Sequence, residues 1–127
     1  MKLQFKTTRF GTLEVDKDRI IQFPQGIPGF SHIKNYVLLD HKDTPLKWLQ
    51  AVDDPDVAFL VVEPSIVVSD YSISIDDKTR ELIELEREED LAVLLIIRVE
   101  GQKVIANLQG PLVLNAAKMK GIQMIIE

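Results

Sequence analysis

The chain has no cysteine among its 127 residues. Disulfides, thiolate metal sites and a thiol nucleophile are therefore excluded, and a reducing compartment is allowed. It also lacks a long hydrophobic run. The longest, Leu91 to Ile97, falls far short of the roughly 20 residues that a membrane-spanning helix needs. The N-terminal MKLQFKTTRF has neither the apolar stretch nor the small-residue cleavage site of a secretory signal. The motifs HExxH, GxSxG and GxxxxGK(S/T) are absent, so the common signatures of zinc proteases, serine hydrolases and P-loop enzymes are missing. An excess of basic residues is missing too, because 15 Lys and Arg face 20 Asp and Glu for a net charge of −5. Nucleic-acid affinity comes mainly from phosphate neutralisation, which argues against direct binding to DNA or RNA. What remains is a soluble cytoplasmic protein, expected to form one domain over residues 1–127.

The charge that is present is unevenly placed. Residues 76–90 hold eight acids (Asp76, Asp77, Glu81, Glu84, Glu86, Glu88, Glu89, Asp90) against Lys78, Arg80 and Arg87, leaving 12 acids and 12 bases elsewhere. The whole −5 sits in that one stretch. Fourteen Ile and 12 Val bias the chain towards sheet, because branched side chains suit a pleated surface. Leu3, Phe5 and Thr7 alternate with polar neighbours, and Gly11 turns the chain towards Leu13 and Val15. Val67, Ser69, Tyr71, Ile73 and Ile75 alternate likewise and predict another strand. Leu91–Val99 reads as a central strand buried on both faces, joined through Glu100-Gly101 to Lys103–Leu108 as a hairpin. Leu112–Leu114 and Ile122–Ile126 complete the strands. One short helix is predicted over residues 77–88, capped by Asp76 or Asp77, with Arg80–Glu84 and Glu84–Arg87 at pairing distance. The fold class is all-β, a mainly antiparallel barrel or sandwich with one helix.

Few residues carry chemistry. His32 and His41 stand in polar, turn-like surroundings without further ligands nearby, so no metal site is expected. Asp53-Asp54-Pro55-Asp56 lacks the spacing of a calcium loop. It reads first as a turn whose aspartates bond their own backbone, then as a protein-binding surface, and last as an acid–base pair. Gly26-Ile27-Pro28-Gly29 matches an RNA-clamping GxxG only superficially, since Pro28 has no N–H and no cation flanks the loop. Phe30, Trp48, Phe59 and Leu108 are assigned to the core, and Asn107 and Asn115 to hydrogen bonds at turns or strand ends.

The ordered punctuation goes further. Phe23-Pro24-Gln25-Gly26-Ile27-Pro28-Gly29-Phe30, Trp48-Leu49-Gln50, Asp53-Asp54-Pro55, Phe59 with Pro64, Ala106-Asn107-Leu108, Gly110-Pro111-Leu112-Val113-Leu114-Asn115, and Gly121 with Gln123 follow one another. This array resembles the FliW family of bacterial flagellar assembly factors over essentially the whole chain. Two departures stand out: Gly110 occupies a place where the family usually has Ala, and the polar tail common beyond the last strand is not seen after Glu127.

The resemblance implies a cytoplasmic, monomeric binding protein without cofactor or catalysis. It would bind newly made flagellin and also CsrA, the small dimeric RNA-binding repressor of flagellin translation. Export drains flagellin, and the freed protein then antagonises CsrA, by a route that the resemblance suggests is non-competitive. Nucleic acid is reached only through that partner. The residues expected at the contacts are Ile27 and Pro28 on an apolar loop tip, Asp53, Asp54 and Asp56 on the acidic turn, and Glu81, Glu84 and Glu88 on the helix. Two rival readings remain: a small β-barrel enzyme using carboxylates at Asp53–Asp56, and an OB-like nucleic-acid binder.

Overall fold

Apolar residues recur two apart through most of the chain, and ten strands form among the described residues. The computed structural model describes residues 1–126. The strands are β1 (Lys2–Thr7), β2 (Gly11–Asp16), β3 (Ile21–Gln22), β4 (Asn35–Asp40), β5 (Lys47–Ala51), β6 (Ala58–Val62), β7 (Leu91–Glu100), β8 (Lys103–Ala106), β9 (Leu112–Asn115) and β10 (Lys120–Gln123). β1 and β2 make a hairpin of their own, and the other eight run in the order β6-β5-β4-β3-β10-β9-β7-β8. A further pairing of β6 with β7 closes seven of these strands into a barrel. Among the described residues only the β3–β10 pairing is parallel, joining Gln22 and Lys120. The expected antiparallel β-barrel is what forms.

Alternate side chains of a barrel face inwards. Tyr36, Leu49, Ala51, Val61, Leu94, Leu112 and Leu114 fill the interior, with Phe59 and Ile96 packed against them. The loop after β3 stoppers the interior. Three successive turns, Gly26 N–H to Phe23 O (2.8 Å), Phe30 N–H to Ile27 O (2.7 Å) and Ile33 N–H to Phe30 O (3.0 Å), curl residues 23–33 back on themselves. They place Phe23, Ile27 and Ile33 in the core. Gly26 has φ +69°, and a Cβ there would lie 2.5 Å from Ser31 Cα, so only glycine fits. Ile27 is thus not an exposed tip: it is 2% exposed, and of the two residues expected at a contact here only Pro28 reaches solvent.

The stretch between β6 and β7 departs from its predicted form. Residues 67–75 pair with no strand. A single turn of helix, α1 (Pro64–Val67), is followed by a turn at residues 69–70 and then by chain without regular structure. The alternation is real, but it serves packing: Tyr71 joins Leu60, Val62, Leu95 and Ile97 on the outer wall, while Ile73 and Ile75 join Val113 and Ile122. The helix α2 spans Asp77–Leu82 and does not reach residue 88. Asp76 caps it, accepting from Thr79 N–H at 2.8 Å. It ends because Ile83 and Leu85 both pack on Val113. Residues two apart cannot share one helix face, so the helix closes in a left-handed turn at Glu84 (φ +56°), with Leu85 N–H bonding back to Arg80 O at 2.8 Å. Buried Asn115 satisfies the freed carbonyls, its Nδ2 donating to Ile83 O (2.9 Å) and Glu84 O (3.0 Å).

Three smaller expectations also change. β7 is buried on both faces at Leu94 and Leu95, but Val99 is 56% exposed. The hairpin to β8 forms with Gly101 at φ +63°, yet β8 ends at Ala106 and Leu108 is exposed. Gly110 carries its own constraint: a Cβ there would sit 2.7 Å from the side-chain amides of both Asn107 and Gln123. Gln123 donates to its carbonyl at 2.8 Å. An alanine in this chain would have to displace both amides.

Candidate partner-binding surfaces

The acidic turn between β5 and β6 ties three segments together. Asp53 Oδ2 accepts from the backbone N–H groups of Lys34 (2.8 Å) and Asn35 (3.1 Å), and its Oδ1 accepts from Asn35 Nδ2 (3.1 Å). Asp54 Oδ1 accepts from Asp56 N–H at 3.0 Å. Its other oxygen lies 3.9 Å from His32 Nε2. Asp56 accepts from the Thr8 hydroxyl, while Thr8 N–H bonds Pro55 O at 2.9 Å. The turn therefore pins the β3–β4 loop and the β1–β2 turn to the barrel. Each carboxylate has a structural partner, which is the bonding of a shaped turn and not of an acid–base pair.

The acidic stretch 76–90 divides differently. The expected Arg80–Glu84 and Glu84–Arg87 pairs do not form, because the helix has ended. Arg80 pairs instead with Glu88, Glu84 with Lys120 of β10, and Arg87 with Glu89 at 2.7 Å. The bonds to Lys120 hold the Glu84 carboxyl below its usual range, and those from Thr79 do the same for Asp76. Among the described residues, Asp77, Glu81 and Glu86 have no cationic partner, and all three are exposed. Of the three glutamates expected at a contact, Glu81 is the one left free.

A third surface was not anticipated. Trp48 is not in the core: its indole lies on the outer wall, donating to His41 Nδ1 at 3.0 Å. His41 is accordingly a half-buried structural residue and not a free loop histidine. Phe10 meets the indole edge-on at 6.1 Å, and the Arg9 guanidinium lies 4.2 Å from the ring centre. Beside them a cleft of about 450 Å³ opens between β6 and β7, lined by Trp48, Ala58–Leu60 and Ile96–Val99. Its only charged lining residue is Arg98. Val99 faces Val104 across the hairpin, and both are more than half exposed. The sequence signal was Val99 and Val104 flanking a tight turn, masked by reading Leu91–Val99 as wholly buried.

Among the described residues no group of three or more His, Cys, Asp or Glu is disposed to hold a metal ion, and no helix is long and apolar enough to cross a membrane. The molecule thus offers surfaces: a pinned acidic turn, a partly free acidic face and an open apolar cleft.

The comparisons agree on one family. The model of the FliW protein family matches residues 4–127. The flagellar assembly factor FliW of Thermoanaerobacter pseudethanolicus is 35% identical, over 98% of this chain and 86% of its own. That of Syntrophus aciditrophicus is 38% identical, over 98% and 81%. A crystal structure of the flagellar assembly factor FliW superposes with a TM-score of 0.91 at 38% identity, covering 98% of this chain and 89% of that one. The chain belongs to the FliW family of flagellar assembly factors.

Proposed function

We propose that this protein works in the cytoplasm by binding, not catalysis, and takes two partners on two surfaces. The apolar cleft between β6 and β7 receives flagellin, and the acidic face of residues 76–90 receives CsrA. Flagellin occupancy lowers CsrA affinity, so export of flagellin frees the protein to relieve translational repression. The observation that carries this reading is the separation of the two surfaces on a chain of this family. The acidic stretch joins the start of β7 and the cleft lies towards its far end, five to eight residues or roughly 16–26 Å along the strand. One surface is apolar, as shielding an export client requires. The other carries the molecule's net charge, which complements a basic RNA-binding protein and steers its approach.

Placing CsrA on residues 76–90 and not on Asp53–Asp56 follows from the bonding, since the turn's carboxylates are already engaged. Calorimetric titration with flagellin, with CsrA, and with CsrA after saturation by flagellin tests the reading. Micromolar or tighter binding of each alone, with weaker CsrA binding in the third titration, is expected from linked equilibria. Absence of binding by either partner contradicts it, and equal CsrA affinity with and without flagellin removes the coupling.

A further inference from the structure

The cleft is a place where a strand ladder stops early. Leu60 pairs with Ile97 and Val62 with Leu95. On β7 the even-numbered residues bond the opposite edge: Ile96 O accepts from Asn107 N–H, and the tight turn makes Glu100–Lys103 a hydrogen-bonded pair. The odd-numbered residues of β7 therefore direct their N–H and C=O groups towards β6. On β6, Val57 O accepts from Ala51 N–H of the β5 edge, so Ala58, like Leu60, faces β7. Continued in register, the next hydrogen-bonded pair would be Ala58 with Val99. That pair is not made, and the cleft lies between those two residues. By the same alternation Trp48, Leu60 and Ile97 line the outer side, while Phe59 and Ile96 belong to the barrel interior. The wall is open here down to its core.

We propose that this gap accepts an extended segment of the client polypeptide as an added strand. Its backbone bonds the facing edges of Ala58 and Val99, its alternate apolar side chains cover Trp48, Leu60 and Ile97, and an acidic residue meets Arg9. Paired strand edges supply affinity and alternate side-chain sites supply specificity in such additions. Charge selects an acidic segment: Arg9 stacks on Trp48 and has no carboxylate partner among the described residues. An open, apolar strand edge is otherwise an aggregation hazard that a fold tends to cover. The proposal rests on the flagellin reading above, and its test separates the two.

Residue-resolved amide exchange is followed by NMR with and without saturating flagellin, at two concentrations of the protein itself. Exchange at Ala58 and Val99 is expected to slow at least ten-fold on saturation. Arg9→Glu and, separately, Val99→Lys are expected to weaken flagellin binding at least ten-fold, each with an unchanged amide spectrum away from the cleft. Flagellin binding without slowing at either amide overturns strand addition and leaves the flagellin reading standing. No flagellin binding overturns both. Slowing that follows the protein's own concentration, without flagellin, assigns the gap to a second copy and also overturns the proposal.

Discussion

Residues 23–33 and the cleft between β6 and β7 are both rich in apolar side chains, yet the first turns inwards and the second stays open. The loop contains the most distinctive run of the sequence, and nearly all of it is occupied in folding: three stacked turns, a glycine that admits no Cβ, and Phe23, Ile27 and Ile33 in the core. The cleft contains no motif. It exists because β7 leaves β6 after Leu60–Ile97 to follow β8. A recognisable motif thus marks where the backbone has fewest alternatives. The surface left for partners is marked by hydrogen bonds not made and apolar area not covered.

Substitutions can break this contrast, and the largest effect should come from the loop. Ile27→Asp places a carboxylate in the sealed interior and should cost about 4 kcal/mol or more. Chemical denaturation should show the loss, whereas Pro28→Ser beside it should cost no more than about 1 kcal/mol, through lost restriction of the unfolded chain. A smaller cost is expected at the acidic turn. Asp53→Ala leaves the N–H groups of Lys34 and Asn35 to water at an exposed turn and should cost about 1 kcal/mol in the same assay. CsrA affinity should hold in the fraction that remains folded. If affinity falls instead, the turn belongs to the interface.

The acidic face should respond in the opposite way. Glu81→Lys with Glu86→Lys should leave thermal unfolding almost unchanged, since neither residue is paired. The same pair should slow CsrA association several-fold at low salt, measured by stopped-flow, with the difference shrinking as salt screens it. The smallest effect concerns pH. Asp76 and Glu84 have carboxyls held below their usual range by Thr79 and Lys120. Groups depressed in the folded state stabilise it above their unfolded pKa of about 4, and that stabilisation is lost as pH falls through the lower folded value. Melting temperature should therefore decline below about pH 4. Asp76→Asn keeps the cap without the charge, and should flatten that decline.

The barrel was legible because inward and outward residues alternate, and alternation survives whatever a strand pairs with. The same property misled at residues 67–75, where Tyr71, Ile73 and Ile75 alternate against the outer wall without a ladder. Hydrogen-bond partners are not written in the periodicity of one segment. The helix was placed correctly at its start, Asp76 being one of the two caps expected, but not at its end, because Ile83 and Leu85 pack with Val113 on a strand about thirty residues away. Ile27 looked like a tip because its neighbours are Gly and Pro, though such neighbours serve equally to bend a chain back into a core. The acidic turn was read first as a turn whose aspartates bond their own backbone; Asp54 does so, but Asp53 and Asp56 bond other segments of the chain. Trp48 and Val99 were missed as surface residues, since an apolar side chain looks the same in sequence on either face of a barrel wall.

The central claim is that partners meet the open cleft and the acidic face while the motif loop stays structural. Hydrogen-exchange footprints of the protein with flagellin and with CsrA, taken separately, test it most directly. Flagellin should protect residues 58–60 and 97–100, and CsrA should protect residues 77–90, with residues 23–33 equally slow in all states. Protection of one shared segment by both partners, or new protection centred on residues 23–33, would contradict it.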